Sequence, residues 1–470
     1  MKKGLIIIAA ALFVAAMVLP AMAVDMSLSG YYRVRGFYQS NADQGQVTPW
    51  EGTNPYGGAN AYGSPEAWWD HHLQLNPVFK VADNLKLVTR VSAFNNQMFG
   101  SGSTSGAITT KNSATGSDFA TFNDPDGADN IIFNRAYIEW ATPKGTLKIG
   151  RQDAGTTFLP FANSERDGDR IRYNSPTWSG FNFSAYYEKL TESSVTSGHN
   201  IGDEDKDSYV LRLNYAQPCW WLGYGLDFVR DRTSSSGIAI PPYAAYKADY
   251  FLHHVALKAN DPTNTYFFEG ELQLQAGDYK DYYGATADID RKGWGYYAAV
   301  GMKKAPLTVA LATAFTSGDD NAADDYKVGP AFGLDFQPLY IATGPYSNIL
   351  TSQSGTSGGA MSDTALSGLP SATRCNTGAK AYVLSADYQC SPELALHGAL
   401  GAAYADKVGA GVDDEFGTEF DLGLKYQIMS NLAYELHFGY LWTGDFFKGP
   451  AGKYTTDDIY QIDHSLTLSF

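Results

Sequence analysis

The feature that most constrains this chain is a strict alternation of apolar and polar side chains in segments of about ten residues, the length of a membrane-crossing strand. Phe268, Gly270, Leu272 and Leu274 alternate with Glu269, Glu271, Gln273 and Gln275. Phe420, Leu422, Leu424, Tyr426 and Ile428 alternate with Asp421, Gly423, Lys425 and Gln427. Tyr434, Leu436, Phe438, Tyr440 and Trp442 alternate with Glu435, His437 and Gly439. A β-strand sends successive side chains to opposite faces, so each segment has one greasy and one wet face. A soluble sandwich shows the same pattern. The number of segments, their length and the asymmetry of their connections separate the two.

The connections alternate short and long. Short turns are expected at Asp83-Asn84, Lys144-Gly145, Thr177–Gly180, Gln217–Trp221, Asp261–Thr265, Lys304–Pro306, Ser391–Glu393 and Ser430-Asn431. Long polar connections are expected at 41–66, 100–129, 154–168, 194–206, 236–247, 282–290, 318–379, 408–416 and 448–458. Short periplasmic turns opposite long extracellular loops are the asymmetry of an outer-membrane barrel. The fold class is therefore all-β: a transmembrane antiparallel β-barrel. Its connections delimit eighteen strands, with sixteen the other even count the segmentation admits.

The ends of the chain fit this reading. Lys2 and Lys3, an apolar stretch from Leu5 to Leu19, and Ala21-Met22-Ala23 have the form of a secretory signal peptide. The apolar stretch is shorter than the roughly 20 residues of a helical span. Residues 1–23 are thus read as the signal and 24–470 as the barrel. Removing Lys2 and Lys3 takes the formal net charge from −16 to −18. No long apolar run follows, which excludes helical spans but not strands. The first strand, Met26 to Gln39, leaves no room for an N-terminal plug. At the other end Phe470, Leu468, Leu466 and Ile462 share one face, interrupted by His464. A closing amphipathic strand that ends in Phe resembles the terminal strand of bacterial outer-membrane barrels.

Composition agrees. Aromatic residues make up 14% of the chain and charged residues 18%. That aromatic load suits two girdles at the membrane interfaces, with Trp69, Trp140, Trp220, Trp221, Tyr224, Trp294, Tyr434 and Trp442 as candidates. The acidic balance argues against nucleic acid as a partner. Cys219, Cys375 and Cys390 are too few for a disulfide framework. Cys375 and Cys390 flank one strand near opposite ends, so no bond is expected between them.

The most specific text lies at 145–187. Gly145–Gln152 (GTLKIGRQ) is followed by Arg166–Pro176 (RDGDRIRYNSP) and Gly180–Tyr187 (GFNFSAYY). This resembles the general diffusion porins of Gram-negative bacteria. Their fifth strand carries "GTLxxGR", their third loop folds into the pore, and a "RYxSPxxxGFxFxxxY" hairpin follows. The strand count here independently makes Thr146–Gln152 the fifth strand. The resemblance covers about a tenth of the chain, and its third loop, 154–168, is short for a constriction. The stretch from Ser317 through Phe336-Gln337-Pro338-Leu339-Tyr340 resembles alginate-export barrels instead. The resemblance implies an outer-membrane, water-filled channel for passive diffusion of ions and small hydrophilic solutes. It also implies contact with outer-membrane lipid and lipopolysaccharide, and a homotrimer. The other reading is a dedicated conduit, for acidic polysaccharide export or as a sheath around a redox partner.

Parity assigns lumen positions. On the first eight strands the inward set includes Arg33, Arg35, Lys86, Arg90, Arg135, Lys148, Arg170, Arg172 and Arg212, with Asp70, Glu139 and Glu188 among them. On the remaining strands it includes Asp227, Glu269, Glu271, Asp387, Asp421, Glu435 and Asp463, with Lys258, Lys303 and Lys425. Asp153, Glu165, Asp167 and Asp169, in or beside the third loop, join the acidic set if that loop turns inward. The expectation is a basic arc facing an acidic arc, setting a field across the lumen. The long connection 318–379 carries an apolar middle from Ala331 to Leu350, which is expected to fold into or over the lumen.

Other sites carry less. Asp124, Asp126 and Asp129, and Asp319, Asp320, Asp324 and Asp325, are loop carboxylate clusters able to hold Ca²⁺ but lacking the full EF-hand spacing. The expectation is no cofactor. His71-His72 and His253-His254 are adjacent on strands and point to opposite faces, so neither pair chelates one metal. No nucleophile–base motif is evident, and the chain is not expected to be an enzyme.

Overall fold

The computed structural model describes residues 24–40, 66–99, 131–155, 158–163, 166–192, 205–233, 247–280, 288–319, 325–330, 332–333, 335–344, 377–449, 452 and 456–470. The proposed signal peptide, Glu165, Cys375 and the Asp124–Asp129 cluster lie outside them.

The chain runs up and down as β1 (Asp25–Ser40), β2 (Glu66–Ala82), β3 (Leu85–Met98), β4 (Ile131–Thr142), β5 (Gly145–Asp153) and β6 (Asp167–Asn174). It continues through β7 (Phe181–Thr191), β8 (Lys206–Gln217), β9 (Trp220–Asp231), β10 (Lys247–Asn260), β11 (Tyr266–Lys280), β12 (Ile289–Arg291) and β13 (Trp294–Lys304). The last segments are β14 (Leu307–Thr316), β15 (Ala379–Gln389), β16 (Leu394–Tyr404), β17 (Glu415–Met429), β18 (Leu432–Thr443) and β19 (Ile459–Ser469). β12 and β13 both pair with β11 and occupy one place in the wall, so the described residues form eighteen staves. The break falls at Lys292-Gly293. A Cβ on Gly293 would stand 1.8 Å from the Val328 carbonyl oxygen, so the chain arriving from β14 can press against the strand only here.

Every strand-to-strand pairing among the described residues is antiparallel, and β1 also pairs with β19, from Tyr31↔Ser469 to Ser40↔Tyr460. Closure removes the two sheet edges that would otherwise leave backbone groups without partners in lipid. The last rung joins the Gly30 and Phe470 backbones at 2.8 and 3.0 Å. All eight short turns connect strands as expected; the second, at Lys144-Gly145, shifts by one, since Gly145 already pairs with Thr142.

Large apolar side chains stand exposed on the outer face of the cylinder, including Leu311, Leu384, Leu400, Leu422 and the C-terminal Leu466, Leu468 and Phe470. A water-facing surface does not carry so much contiguous apolar area. His464, the polar interruption of the last strand, sits edge-on to Trp69, ring centroids 4.7 Å apart, above Gly36. Trp69, Trp140, Trp220, Trp294 and Trp442 share this outer face. Trp221 does not: it neighbours Trp220 and so takes the opposite side, where it packs against Phe158 at 5.4 Å. The expected girdle loses that residue.

Candidate functional site

The inward charges of β1–β9 are tied together along the wall. Arg35 forks onto Asp70, Nε to Oδ1 at 2.9 Å and Nη2 to Oδ2 at 2.8 Å. Lys86 and Lys148 flank Glu139 at 3.2 and 3.1 Å. Arg170 forks onto Glu188 at 2.8 and 2.6 Å, and Arg166 takes the other oxygen at 2.5 Å. Arg212 binds both oxygens of Asp227, and Arg135 bonds Asp167 and lies 3.6 Å from Asp153. Arg33 donates to Asn96 at 2.9 Å, and Arg172 to Asn174 at 2.9 Å. Bidentate guanidinium–carboxylate pairs of this kind hold geometry firmly. The acidic members of the early strands are thus the partners of its arginines and lysines.

Two connections enter the cylinder. Ala154, Leu159 and Phe161 of the β5–β6 connection are buried, and Pro160–Ala162 forms a single 3₁₀ turn. The Leu159 N–H donates across the lumen to Glu271 Oε2 at 3.1 Å, while Arg170 holds the Ala154 and Asp153 carbonyls at 2.9 and 3.1 Å. From the β14–β15 connection, Phe332, Phe336, Leu339, Ile341 and Ala342 are buried too. Glu419 accepts the Ile341 and Ala342 N–H groups at 2.5 and 2.7 Å, and Asp421 accepts that of Tyr340 at 3.1 Å. The Tyr340 hydroxyl donates to Asp463.

The two connections meet inside. Phe161 lies edge-on to Phe332 and Phe336 at 5.6 and 6.0 Å. The Gly333 and Asp335 N–H groups donate to the Phe161 and Asn163 carbonyls at 2.9 and 3.0 Å. A Cβ on Gly333 would be 1.8 Å from the Asn163 oxygen, so the backbones cross where only glycine fits. The core of the protein is this crossing together with Phe416 and Ile459 of the wall and Phe446 and Phe447 of the β18–β19 connection.

Beside the crossing is a polar cavity of about 1160 Å³. Arg33, Arg35, Arg90, Arg151 and Arg166 line it with Asp167, Asp335, Asp421, Glu435 and Asp463, along with His397, His437 and Tyr340. The arrangement is not two bare arcs. Glu271, Asp421 and Asp463 on the far wall accept hydrogen bonds from the entering loops. Asp227 is taken by Arg212, Glu435 by Lys425 at 2.6 Å, Glu269 by Lys258 at 3.6 Å, and Asp387 by His397 at 2.8 Å.

Three acidic positions also depart from expectation. Asp153, Asp167 and Asp169 alternate with Gln152, Gly168 and Arg170, so strand parity turns them outward with Arg151 and Ile171. Asp169 is exposed, 3.4 Å from Arg151. Asp167 still reaches the cavity because β4 and β5 part there. Glu419 was not among the expected site residues, although it shares the face of Asp421 two positions on.

The histidine pairs split as parity requires. His71 and His253 bond the Tyr32 and Tyr224 hydroxyls at 3.1 and 3.0 Å, while His254 is buried 3.7 Å from Asp227. Of the second acidic loop cluster, Asp319 accepts the Lys327 N–H at 3.1 Å and Asp325 pairs with Lys292 at 2.8 Å. Cys219 and Cys390 are free thiols.

No protein-family model matches the chain, and no curated protein matches its sequence. Solved structures do match its fold. Acinetobacter baumannii OccAB3 aligns at a TM-score of 0.53 and 11% identity, over 94% of this chain and 100% of that one. Pseudomonas aeruginosa OccK8 (OprE) aligns at 0.51 and 9% identity, over 94% and 98%. A BenF-like porin from Pseudomonas fluorescens Pf-5 aligns at 0.50 and 13% identity, over 94% and 99%. The chain has the fold of the Gram-negative outer-membrane porins. Inside this barrel the charged cavity lies beside the loop crossing.

Proposed function

We propose that this porin-fold protein resides in the outer membrane and forms a water-filled channel for passive diffusion of ions and small hydrophilic solutes. The observation that carries the reading is the charged cavity enclosed by a wall whose outer face is apolar. The wall solvates in lipid and in the headgroups of lipopolysaccharide; the lumen stays wet. The paired loops narrow the passage, and Arg33, Arg90 and Arg151 against Asp335, Asp421 and Glu435 tune which solutes pass. The dedicated-conduit reading needs a wide, unobstructed lumen, and the Phe161–Phe336 crossing occupies it. Liposome swelling tests the proposal. Proteoliposomes should admit small sugars and amino acids and exclude large oligosaccharides; impermeability to the smallest solutes would contradict it.

A further inference from the structure

Strand β3 carries a bulge beside the cavity. Its pairing with β2 jumps from Leu73↔Ala93 to His71↔Gln97, so Phe94, Asn95 and Asn96 together oppose His72. Phe94 and Asn96 have φ of 50° and 55°, in the left-handed region that crowds a Cβ. Asparagine tolerates that region, and phenylalanine does so poorly.

The bulge is held from outside and used from inside. On the outer face the Phe94 ring stacks on His71, centroids 4.7 Å apart, and Phe99 meets the same imidazole edge-on at 5.1 Å. Asn95 and Asn96 turn inward and line the cavity. His72, opposite the bulge, has a buried Nε2 with no partner among the described residues. A strained backbone and an unpartnered ring nitrogen both cost stability. They collect where Arg33, Arg35 and Arg90 line the cavity.

What the bulge gains is reach. β3 is the second neighbour of β1, about 9–10 Å away across β2. The bulge carries the Asn96 carbonyl over β2, where Oδ1 accepts from Arg33 Nη2 at 2.9 Å and from Arg35 Nη2 at 2.8 Å. Arg33 and Arg35 are two apart on β1, so both point inward as neighbouring like charges. The rung of Arg35 supplies Asp70, which takes its guanidinium fork. The rung of Arg33 supplies His72 and Thr467 instead. Asn96 bridges the two arginines. Its amide oxygen orients them without adding the negative charge that a carboxylate would bring.

We propose that the Phe94–Asn96 bulge is a selectivity element and that Asn96 is its positioning residue, holding the Arg33 guanidinium in the solute path so that this wall favours anions. The inference rests on the channel reading.

Planar-bilayer recordings of the full-length protein across a KCl gradient test it. Asn96→Gly removes the carbonyl and keeps the bulge, since glycine adopts positive φ freely. Arg35 keeps its Asp70 fork in that variant, so the effect is expected at Arg33. The N96G reversal potential should shift toward cation preference, and its open-channel noise should rise. N96D keeps an acceptor and adds a charge; it should shift the reversal potential the same way without the added noise. In an Arg33→Gln background, N96G should leave the reversal potential where R33Q alone puts it. An unmoved reversal potential in N96G overturns the inference, as does an N96G shift undiminished in the R33Q background. Equal noise in N96G and N96D overturns it too. Wild-type protein that never conducts removes the channel reading and this inference together, whereas a conducting wild type with an unmoved N96G removes the clamp alone.

Discussion

Glu419 holds Ile341 by its backbone, carboxylate oxygen to N–H at 2.5 Å, although 77 residues lie between them. The second oxygen takes the next N–H, that of Ala342, so one wall side chain fixes the tip of a loop entering from the rim. Leaving a buried N–H without its acceptor costs about 1–3 kcal/mol, more than most contacts available to a loop in water. Replacing Glu419 with Gln leaves one acceptor for two donors. The loop should loosen, with a larger single-channel conductance and more open-channel current noise than the wild type. Unchanged conductance and noise would show that the loop is held by its apolar contacts alone.

Protease access is a direct test of the same loop. Phe332, Phe336, Leu339 and Ile341 are nearly fully buried, so cleavage at these residues by proteinase K added to intact cells should be slow. Rapid cleavage between Phe332 and Gly344 would place this segment outside the barrel.

Arg212 and Asp227 form a buried ion pair at the boundary between the basic and acidic parts of the wall. Removing one partner strands the other charge, at a cost of about 3–5 kcal/mol. Asp227→Asn should lower the thermal unfolding temperature measured in detergent. A stability equal to wild type would mean that water reaches the guanidinium.

Ion selectivity should follow the cavity arginines. Reversing Arg33 and Arg90 together to Glu adds negative charge where both side chains line the cavity. The reversal potential across a salt gradient should shift toward cation preference, more strongly at low ionic strength. An unmoved reversal potential would remove these residues from the ion path.

The periplasmic turn at Asp261 gives a pH prediction outside the membrane. Hydrogen bonds from the Thr263 hydroxyl and from the Tyr266, Thr263 and Thr265 backbones hold its carboxyl below the usual range. A carboxyl depressed on folding lends stability above its unfolded titration range and loses it as pH falls through the folded value. Amide exchange at Thr265 and Tyr266 should therefore accelerate on acidification below the ordinary aspartate range, and Asp261→Asn should abolish that dependence.

Much of this architecture is legible in the residues because a two-residue period leaves so little freedom. Once Leu422 faces lipid, Asp421 must face the lumen, and the same logic places Arg33, Arg35 and Glu435. The same period separates Trp220 from Trp221 and turns Asp169 away from Arg170. Glu419 was equally open to it. What the period cannot reach are contacts between segments far apart in the chain. The Leu159–Glu271 bond and the Phe161–Phe332 contact join loops with no periodicity of their own. The broken stave at Lys292-Gly293 depends on the Val328 backbone pressing on it, which no local pattern announces.

A planar lipid bilayer containing the purified full-length protein puts the central claim to its sharpest trial. Current should rise in discrete, ohmic steps as single barrels insert, and each step should grow when the Glu419 clamp is removed. Bilayers that stay silent at every voltage, with correctly folded protein inserted, would contradict the account.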